Sequence, residues 1–373
     1  MTLDYPSDKA FLTLNVTYRC NLSCKYCWYD LDSPALSRSN DMSLETFKKV
    51  IDVFAISDYR QIEITFHGGE PLLWGLSNFQ TAFEYLATVF NRAGKDYKLI
   101  IQTNGTLASE SLGDLLEEYN CSLGISLDGP ADIHDQNRSY RDGSGSLKQV
   151  LDNIQVWQSH GLPIGTVTVI HKHNWMKMAL VYRFIRDLGI RHMHFIPFVP
   201  AGRGRKYRNE FAISAQQYCE AMLSLLNEWS YDTEDVYLLP IQEYIRTMFL
   251  RTPTYCVFFQ GCPPNIYGVN PQGDLYPCIR FAESSGFVIG NVWRLSSLGD
   301  IRNSKARRAL VERMERIKST DSFCANCRYS HICGAGCAFE AFYGQGTLHK
   351  ESMFCQGHMQ VFDYISKFMS DIA

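Results

Sequence analysis

The amino-acid sequence predicts an α/β protein: a partial barrel of parallel β/α units followed by a cysteine-rich region organised by metal. Two observations carry this. From residue 11 to about 200, short apolar runs rich in β-branched and aromatic residues alternate with longer segments of helical period, the pattern of parallel β/α units. Beyond that stretch the alternation stops, and most of the 13 cysteines fall between Cys256 and Cys355.

Six strands are expected, at Phe11–Thr17, Ile62–His67, Leu99–Thr103, Leu123–Asp128, Ile164–Ile170 and His192–Phe198. Helices are expected near 43–57, 76–93, 107–119, 145–160 and 174–188. Ser43 and Ser109 stand at helix starts, and Gly161 and Gly189 at helix ends. Parallel strands need right-handed crossovers and two covered faces, so six successive units curl into an open, (β/α)6 barrel related to the eight-stranded one. In such sheets chemistry sits at the carboxyl ends of the strands. Cys20, His67 to Glu70, Thr103 to Gly105 and Ser126 to Gly129 all fall there. The Gly- and Arg-rich text from Ala201 to Arg205 ends the repeat, and two more helices are expected near 214–229 and 240–250. The division expected is residues 1–235 for the barrel and 236–373 for the cysteine-rich domain, with short strands at best and order drawn mainly from metal ligation.

With 373 residues, 46% of them hydrophobic, the chain can bury a large core. A net charge of −3, from 36 basic and 39 acidic residues, gives no reason to expect a nucleic acid or an anionic membrane as partner. Met1 to Ala10 holds no apolar signal core, and no run of 18 apolar residues occurs, so a cytoplasmic protein is expected. Thirteen cysteines in such a chain point to metal rather than to disulfides.

Cys20, Cys24 and Cys27 form a CxxxCxxC motif on the loop after the first strand. Three thiolates can hold three irons of a 4Fe–4S cluster and leave the fourth open to an outside ligand. A zinc or ordinary electron-transfer site would want a fourth nearby ligand, and the next cysteine is Cys121. The motif and its placement resemble the radical S-adenosylmethionine superfamily. That resemblance implies that the open iron chelates S-adenosylmethionine and that one electron from the cluster cleaves it to a 5′-deoxyadenosyl radical. His67-Gly68-Gly69-Glu70-Pro71 then looks like the family's GGEP element, with Gly68, Gly69 and Glu70 on the methionine amino group. The same resemblance puts Tyr26 beside the adenine and Thr103 and Asn104 along the pocket. It brings Ser126 and Arg138 to the methionine carboxylate or the ribose, and counts Asp128 among the cofactor-binding residues.

Downstream, Cys262 precedes Gly273 and Cys278, and Cys324, Cys327, Cys333, Cys337 and Cys355 follow, with Cys256 ahead of all of them. CxxC spacing is shared with zinc sites, and eight thiolates would also suit two zinc ions. The set resembles the SPASM extension of peptide-modifying radical enzymes. This implies two further 4Fe–4S clusters, three in all, one on Cys256, Cys262, Cys278 and Cys337 and one on Cys324, Cys327, Cys333 and Cys355. Fully ligated clusters only pass electrons. Cys121 and Cys219 remain as core thiols.

By size and layout the chain resembles anaerobic sulfatase-maturing enzymes, which oxidise Cys or Ser of a client protein to formylglycine. Two positions depart from that family. Ile279 follows Cys278 where the family has an Asp base, and His67 stands where it has Gln. Cross-linking of a ribosomally made precursor peptide, as a thioether, ether or carbon–carbon cyclophane, is therefore the function expected. Formylglycine formation is the alternative, and a non-enzymatic metal or electron-transfer protein the third reading. His67, Tyr29 and Glu283 are the candidate bases or ring-positioning groups. A flavodoxin or ferredoxin is expected as reductant and a monomer as the assembly. With about ten residues before the first strand there is no room for an N-terminal peptide-recognition domain, so a leader peptide is expected at the barrel mouth or on a separate protein.

Overall fold

The computed structural model describes residues 8–31, 33, 41–259, 261–282, 284–302, 304–320 and 322–372. All six expected strands form, at β1 (Lys9–Thr17), β2 (Gln61–Gly68), β3 (Asp96–Thr103), β4 (Ser122–Ser126), β5 (Ile164–Ile170) and β6 (His192–Pro197). They pair in sequential parallel order, with Leu12 beside Ile64, Ile64 beside Leu99 and Ile101 beside Leu123. Each crossover carries a helix, at Leu44–Ala55, Leu76–Arg92, Glu110–Glu118, Leu147–Ser159 and Met178–Asp187. Ser43 and Ser109 cap the first and third by accepting from the backbone N–H of Thr46 and Leu112, as such residues do at helix starts.

Alternation along the strands divides the two faces. On β2, Phe66 turns outward and His67 inward, because successive side chains leave opposite faces of a strand. Phe66 meets Phe47, Phe79 and Phe83 of the covering helices with ring centroids 5.4–6.1 Å apart. Trp74 closes this cluster at 5.3 Å from Phe79 and donates its indole N–H to the Met42 carbonyl at 2.8 Å. The outer layer is thus dry and aromatic, and the inner face is left for polar residues.

The sheet does not stop at six strands. β7 (Tyr237–Leu239) adds in parallel to β6. On the other side β8 (Ile266–Val269) pairs in parallel with β1, Phe11 beside Ile266 and Leu14 beside Val269. β9 (Asp274–Tyr276) and β10 (Gly290–Asn291) extend it antiparallel, giving ten strands in all. Backbone pairing to the barrel therefore contributes to the order of the cysteine-rich region, which the sequence reading had assigned mainly to metal. Each strand is too short to stand out by periodicity.

The helices Ala215–Ser230 and Cys355–Ile372 pack closely, and Gly357 permits it: a Cβ there would lie 2.4 Å from the Ala215 carbonyl oxygen. Tyr218, Tyr244 and His358 link these helices to Ile241–Leu250 through buried hydrogen bonds. Cys121 and Cys219 are buried core thiols, as expected. Among the described residues no helix is long and apolar enough to cross a membrane. Phe66→Ala, which opens a cavity at the centre of the aromatic layer, lowers stability by about 3–5 kcal/mol, read as a fall in the urea midpoint.

Candidate active site

The loop after β1 and the turn after β2 are built against each other without intervening side chains. Gly69 N donates to the Thr17 carbonyl and Glu70 N to the Arg19 carbonyl, each at 2.8 Å. Gly68 has φ +135°, and a Cβ there would stand 2.0 Å from the Thr17 oxygen; one on Gly69 would stand 2.3 Å from the Arg19 oxygen. Only paired glycines admit this approach. It carries Glu70 directly behind the loop that bears Cys20, Cys24 and Cys27.

The Glu70 carboxylate is fully buried and triply held. It accepts from Leu72 N at 3.0 Å, from the Thr103 hydroxyl at 2.8 Å and from Asn104 N at 2.7 Å. Burial nevertheless outweighs these bonds and raises its pKa to about 7, so a cation arriving there finds a carboxyl short of positive charge. Asn104 extends the chain outward, donating to the Asn21 side chain at 2.9 Å, with its amide 3.9 Å from the Cys20 sulfur.

A second buried carboxylate, Asp128, sits just beyond the end of β4. It accepts from the Tyr26 hydroxyl, from Arg138 Nε at 3.2 Å and from Val169 N at 3.2 Å. The Arg138 guanidinium lies 5.3 Å from the Tyr26 ring centre. Burial acts to raise the Asp128 pKa, but Arg138, then His134 and His171, hold it below the ordinary range. Asp128 thus orients Tyr26 and Arg138 rather than presenting a free carboxylate, a support role the sequence does not reveal. Ser126 lies at the carboxyl end of β4 and accepts from Gln102 Nε2 at 3.2 Å.

His67 enters the barrel beside Trp28 and Tyr29. Its ring stacks on Trp28 at 5.6 Å and 21°, and meets the edge of Tyr29 at 6.2 Å. It keeps partial access to solvent, but desolvation by the surrounding protein lowers its pKa to about 4. Nδ1 accepts the Gly68 N–H at 2.6 Å, so the neutral ring carries its proton on Nε2. Tyr29 is buried and donates its hydroxyl to Asn15 Oδ1 at 2.8 Å. Glu283 lies outside the described residues. Of the two that can be seen, His67 accepts a backbone N–H on Nδ1 and Tyr29 donates its hydroxyl hydrogen to Asn15.

The Gly202-Arg203-Gly204 segment, read from sequence only as a boundary, clamps the back of the cysteine loop. Arg203 N donates to the Tyr29 carbonyl at 3.2 Å and Gly204 N to the Cys27 carbonyl at 3.0 Å, and the Arg203 side chain reaches the Cys24 carbonyl at 3.3 Å. A Cβ on Gly202 would strike the Trp28 carbonyl at 2.2 Å. A Gly-Arg-Gly run next to a strand end was the available signal.

None of the thirteen cysteines is joined in a disulfide. The eight downstream ones separate into two sets. Burial, followed by the mutual proximity of Cys337, Cys278 and Cys262, pushes the Cys256 thiol pKa up, and burial with Cys337 and Cys278 raises that of Cys262 to about 12. Burial and then Cys333, Cys324 and Cys327 do the same to Cys355. These four line one small cavity with Tyr329 and His358. The structure therefore brings Cys256, Cys262, Cys278 and Cys337 near one another, and Cys324, Cys327, Cys333 and Cys355 near one another. Among the described residues no three His, Cys, Asp or Glu side chains close on a position fit for a single ion. A zinc ion would draw its thiolates to about 2.3 Å, whereas a cuboidal cluster spaces them around its corners. All-thiol donor sets suit iron–sulfur clusters.

Two outcomes follow from these carboxylates and imidazoles. Asp128→Asn leaves the Arg138 charge buried without its partner and destabilises by about 3–5 kcal/mol, measured as a lower urea midpoint. His134 and His171 are buried, and desolvation brings both to a pKa of about 4 from 6.5. The unfolded chain therefore binds the extra protons. Their contribution is complete above about pH 6.5 and is lost as pH falls toward 4, so acid denaturation of His171→Asn is shallower over that window than that of the parent.

Comparison with known proteins agrees with the geometry. The radical SAM superfamily model matches residues 14–185, and the SPASM model, an iron–sulfur cluster-binding domain, matches 261–328. A serine-type anaerobic sulfatase-maturating enzyme of Klebsiella aerogenes is 27% identical over 85% of this chain and 76% of its own. Among solved structures, anSMEcpe with bound AdoMet superposes with a TM-score of 0.85 at 20% identity, covering 98% of this chain and 99% of that one. SuiB of Streptococcus suis, bound to its precursor peptide SuiA, superposes with a TM-score of 0.65 at 13% identity over 93% of this chain and 76% of its own. A loop carrying three thiols in front of a glycine-backed carboxylate, on a parallel barrel continued by eight further cysteines, is thus matched by family as well as by shape, and the chain carries a radical SAM domain and a SPASM domain.

Proposed function

We propose that this radical SAM–SPASM maturase oxidises a side chain of a peptide by two electrons and closes the oxidised carbon onto a second group of the same peptide. In this reading Cys20, Cys24 and Cys27 hold the site-differentiated cluster, and the two downstream quartets hold one 4Fe–4S cluster each. When bound, the first cluster and S-adenosylmethionine supply a carbon-centred radical that takes a hydrogen atom from the substrate.

The chain's own residues then bind and orient. Glu70 receives the ammonium of S-adenosylmethionine, and its bonds from Thr103, Asn104 and Leu72 fix the direction of approach. Arg138, seated by Asp128, and Ser126 face the carboxylate and ribose side, with Tyr26 along the adenine. Trp28, Tyr29 and His67 form an aromatic wall that excludes water from the reacting carbon. His67 Nε2–H is a donor for a peptide carbonyl. Being neutral and protonated on that atom, it is no base toward substrate there.

The observation that carries cross-linking is Ile279. It is 8% exposed, and its backbone lies so close to β8 that a Cβ on Gly268 would stand 2.6 Å from its Cα. The side chain beside Cys278 therefore offers no proton acceptor for a substrate thiol or hydroxyl, as formylglycine formation requires. A second reading, oxidation of a Cys or Ser to formylglycine, is favoured by the curated relative, which spans most of this chain and matures sulfatases. Judged by whole-chain similarity this second reading has the stronger support, and judged by the residue at position 279 the first does.

Anaerobically reconstituted protein given dithionite and S-adenosylmethionine is expected to release 5′-deoxyadenosine. No release from iron-loaded protein overturns both readings. Replacing Cys20, Cys24 and Cys27 by Ala abolishes release and lowers bound iron from about twelve to about eight per chain. With the peptide encoded beside this reading frame as substrate, a product lighter by about two hydrogens, linked between two residues and inert to hydrazine, supports cross-linking. A hydrazine-reactive single residue supports formylglycine.

A further inference from the structure

Arg280 follows Cys278 by two residues, on the short turn Ile279–Phe281. Its Nη2 donates to the Cys337 sulfur at 3.1 Å, and its guanidinium lies 4.7 Å from the centre of the Phe339 ring. Cys278, Cys256 and the buried Glu340 carboxylate are its other charged or polarisable neighbours. One cation therefore addresses three of the four thiols of the inner quartet. The same charge is felt by His194 and Tyr255, which hydrogen-bond to each other at 2.9 Å on the β6 side. Arg280 thus stands between the inner quartet and the barrel.

Arg313 acts differently. Its charge reaches Cys262 and Cys337 of the inner quartet first and then Cys333 and Cys324 of the outer one, but it directs its hydrogen bonds to the carbonyls of Gly334, Ala335, Gly336, Leu348 and Lys350 at 2.6–3.1 Å. It braces the backbone around Cys333 and Cys337, whereas Arg280 touches sulfur.

We propose that Arg280 is a positioning residue that makes the inner quartet the more easily reduced of the two, so that it is the immediate acceptor of the electron leaving the substrate. This rests on the reading that Cys256, Cys262, Cys278 and Cys337 hold an iron–sulfur cluster. A donor N–H on a ligating sulfur and a cation nearby stabilise the state with one more negative charge, and both raise a reduction potential. In the two-electron oxidation described above, the abstracted hydrogen atom removes one electron from the substrate carbon. The second would leave as the carbon radical bonds to the thiol, hydroxyl or ring of the second group, which gives up its proton, and a cluster on the inner quartet would be placed to take that electron up.

The test is an EPR-monitored redox titration of the full chain in the Cys20→Ala, Cys24→Ala, Cys27→Ala background, loaded anaerobically with iron and sulfide. Two reduction events are expected. Arg280→Gln lowers the reduced-to-oxidised ratio of one event at least tenfold at fixed potential, about 59 mV for one electron, and leaves the other in place. Arg280→Lys, which keeps the charge, recovers at least half of that shift. An unmoved midpoint in Arg280→Gln, equal shifts in the Lys and Gln variants, or displacement of both events together overturns the proposal. If the Gln variant loads less iron, Phe339→Leu, which removes the ring under the guanidinium and leaves every thiol, is read instead. The same event must then fall, and a constant midpoint is a refutation. Cys337→Ala separates the underlying reading: retention of all iron and both events there means that the quartet is not a cluster site, whatever Arg280 does.

Discussion

The site depends on a contact between two stretches of bare backbone. Thr17 to Arg19, leaving the first strand, and Gly68 to Gly69, leaving the second, hydrogen-bond where any side chain would collide with a carbonyl oxygen. Because the contact is backbone to backbone, it has no rotamers to lose, and it places a buried carboxylate behind a loop of three thiols. The aromatic layer outside β2 backs it from one side, and the Gly202-Arg203-Gly204 segment closes on the loop from the other. A demanding cofactor arrangement is thereby set by rigid main chain rather than by long side chains.

Much of this was legible in the sequence because its causes are local. Hydrophobic period located the six barrel strands and their helices, with ends displaced by a few residues. Thiol spacing and a Gly-Gly-Glu turn marked the two chemical regions, and the thiols within each downstream set lie near one another. What escaped is long-range. β8 pairs with β1 across more than half of the chain, and nothing in four residues announces such a partner. Asp128 reads as a pocket residue by position, yet its lone pairs are consumed by Tyr26, Arg138 and Val169, which depends on folds of the chain around it. His67 offered itself as a base by residue type, and a single backbone N–H on Nδ1 changes what it can do.

Charge is distributed with the same economy. The barrel interior holds neutral imidazoles at His67, His134, His171 and His194, all with pKa values lowered to about 4 by desolvation. Around the cysteine loop its buried charged groups include the Asp128–Arg138 pair and Arg203, and the Glu70 carboxyl has its pKa raised to about 7. The cysteine-rich region instead buries arginines, at 280, 307 and 313, near sulfur or on carbonyls. The buried carboxylates behind the cysteine loop and the buried arginines beside the downstream thiols thus come from separate parts of the chain.

The parallel seam between β1 and β8 has a further consequence. The strand that feeds the three-thiol loop and the strand that leads to Cys278 are neighbours in one sheet, locked by interstrand hydrogen bonds from Phe11 to Leu14. The separation between the two redox regions is then set by main-chain ladder geometry, which no domain hinge can stretch. Any electron passing between groups held there would cross a gap framed by one continuous sheet.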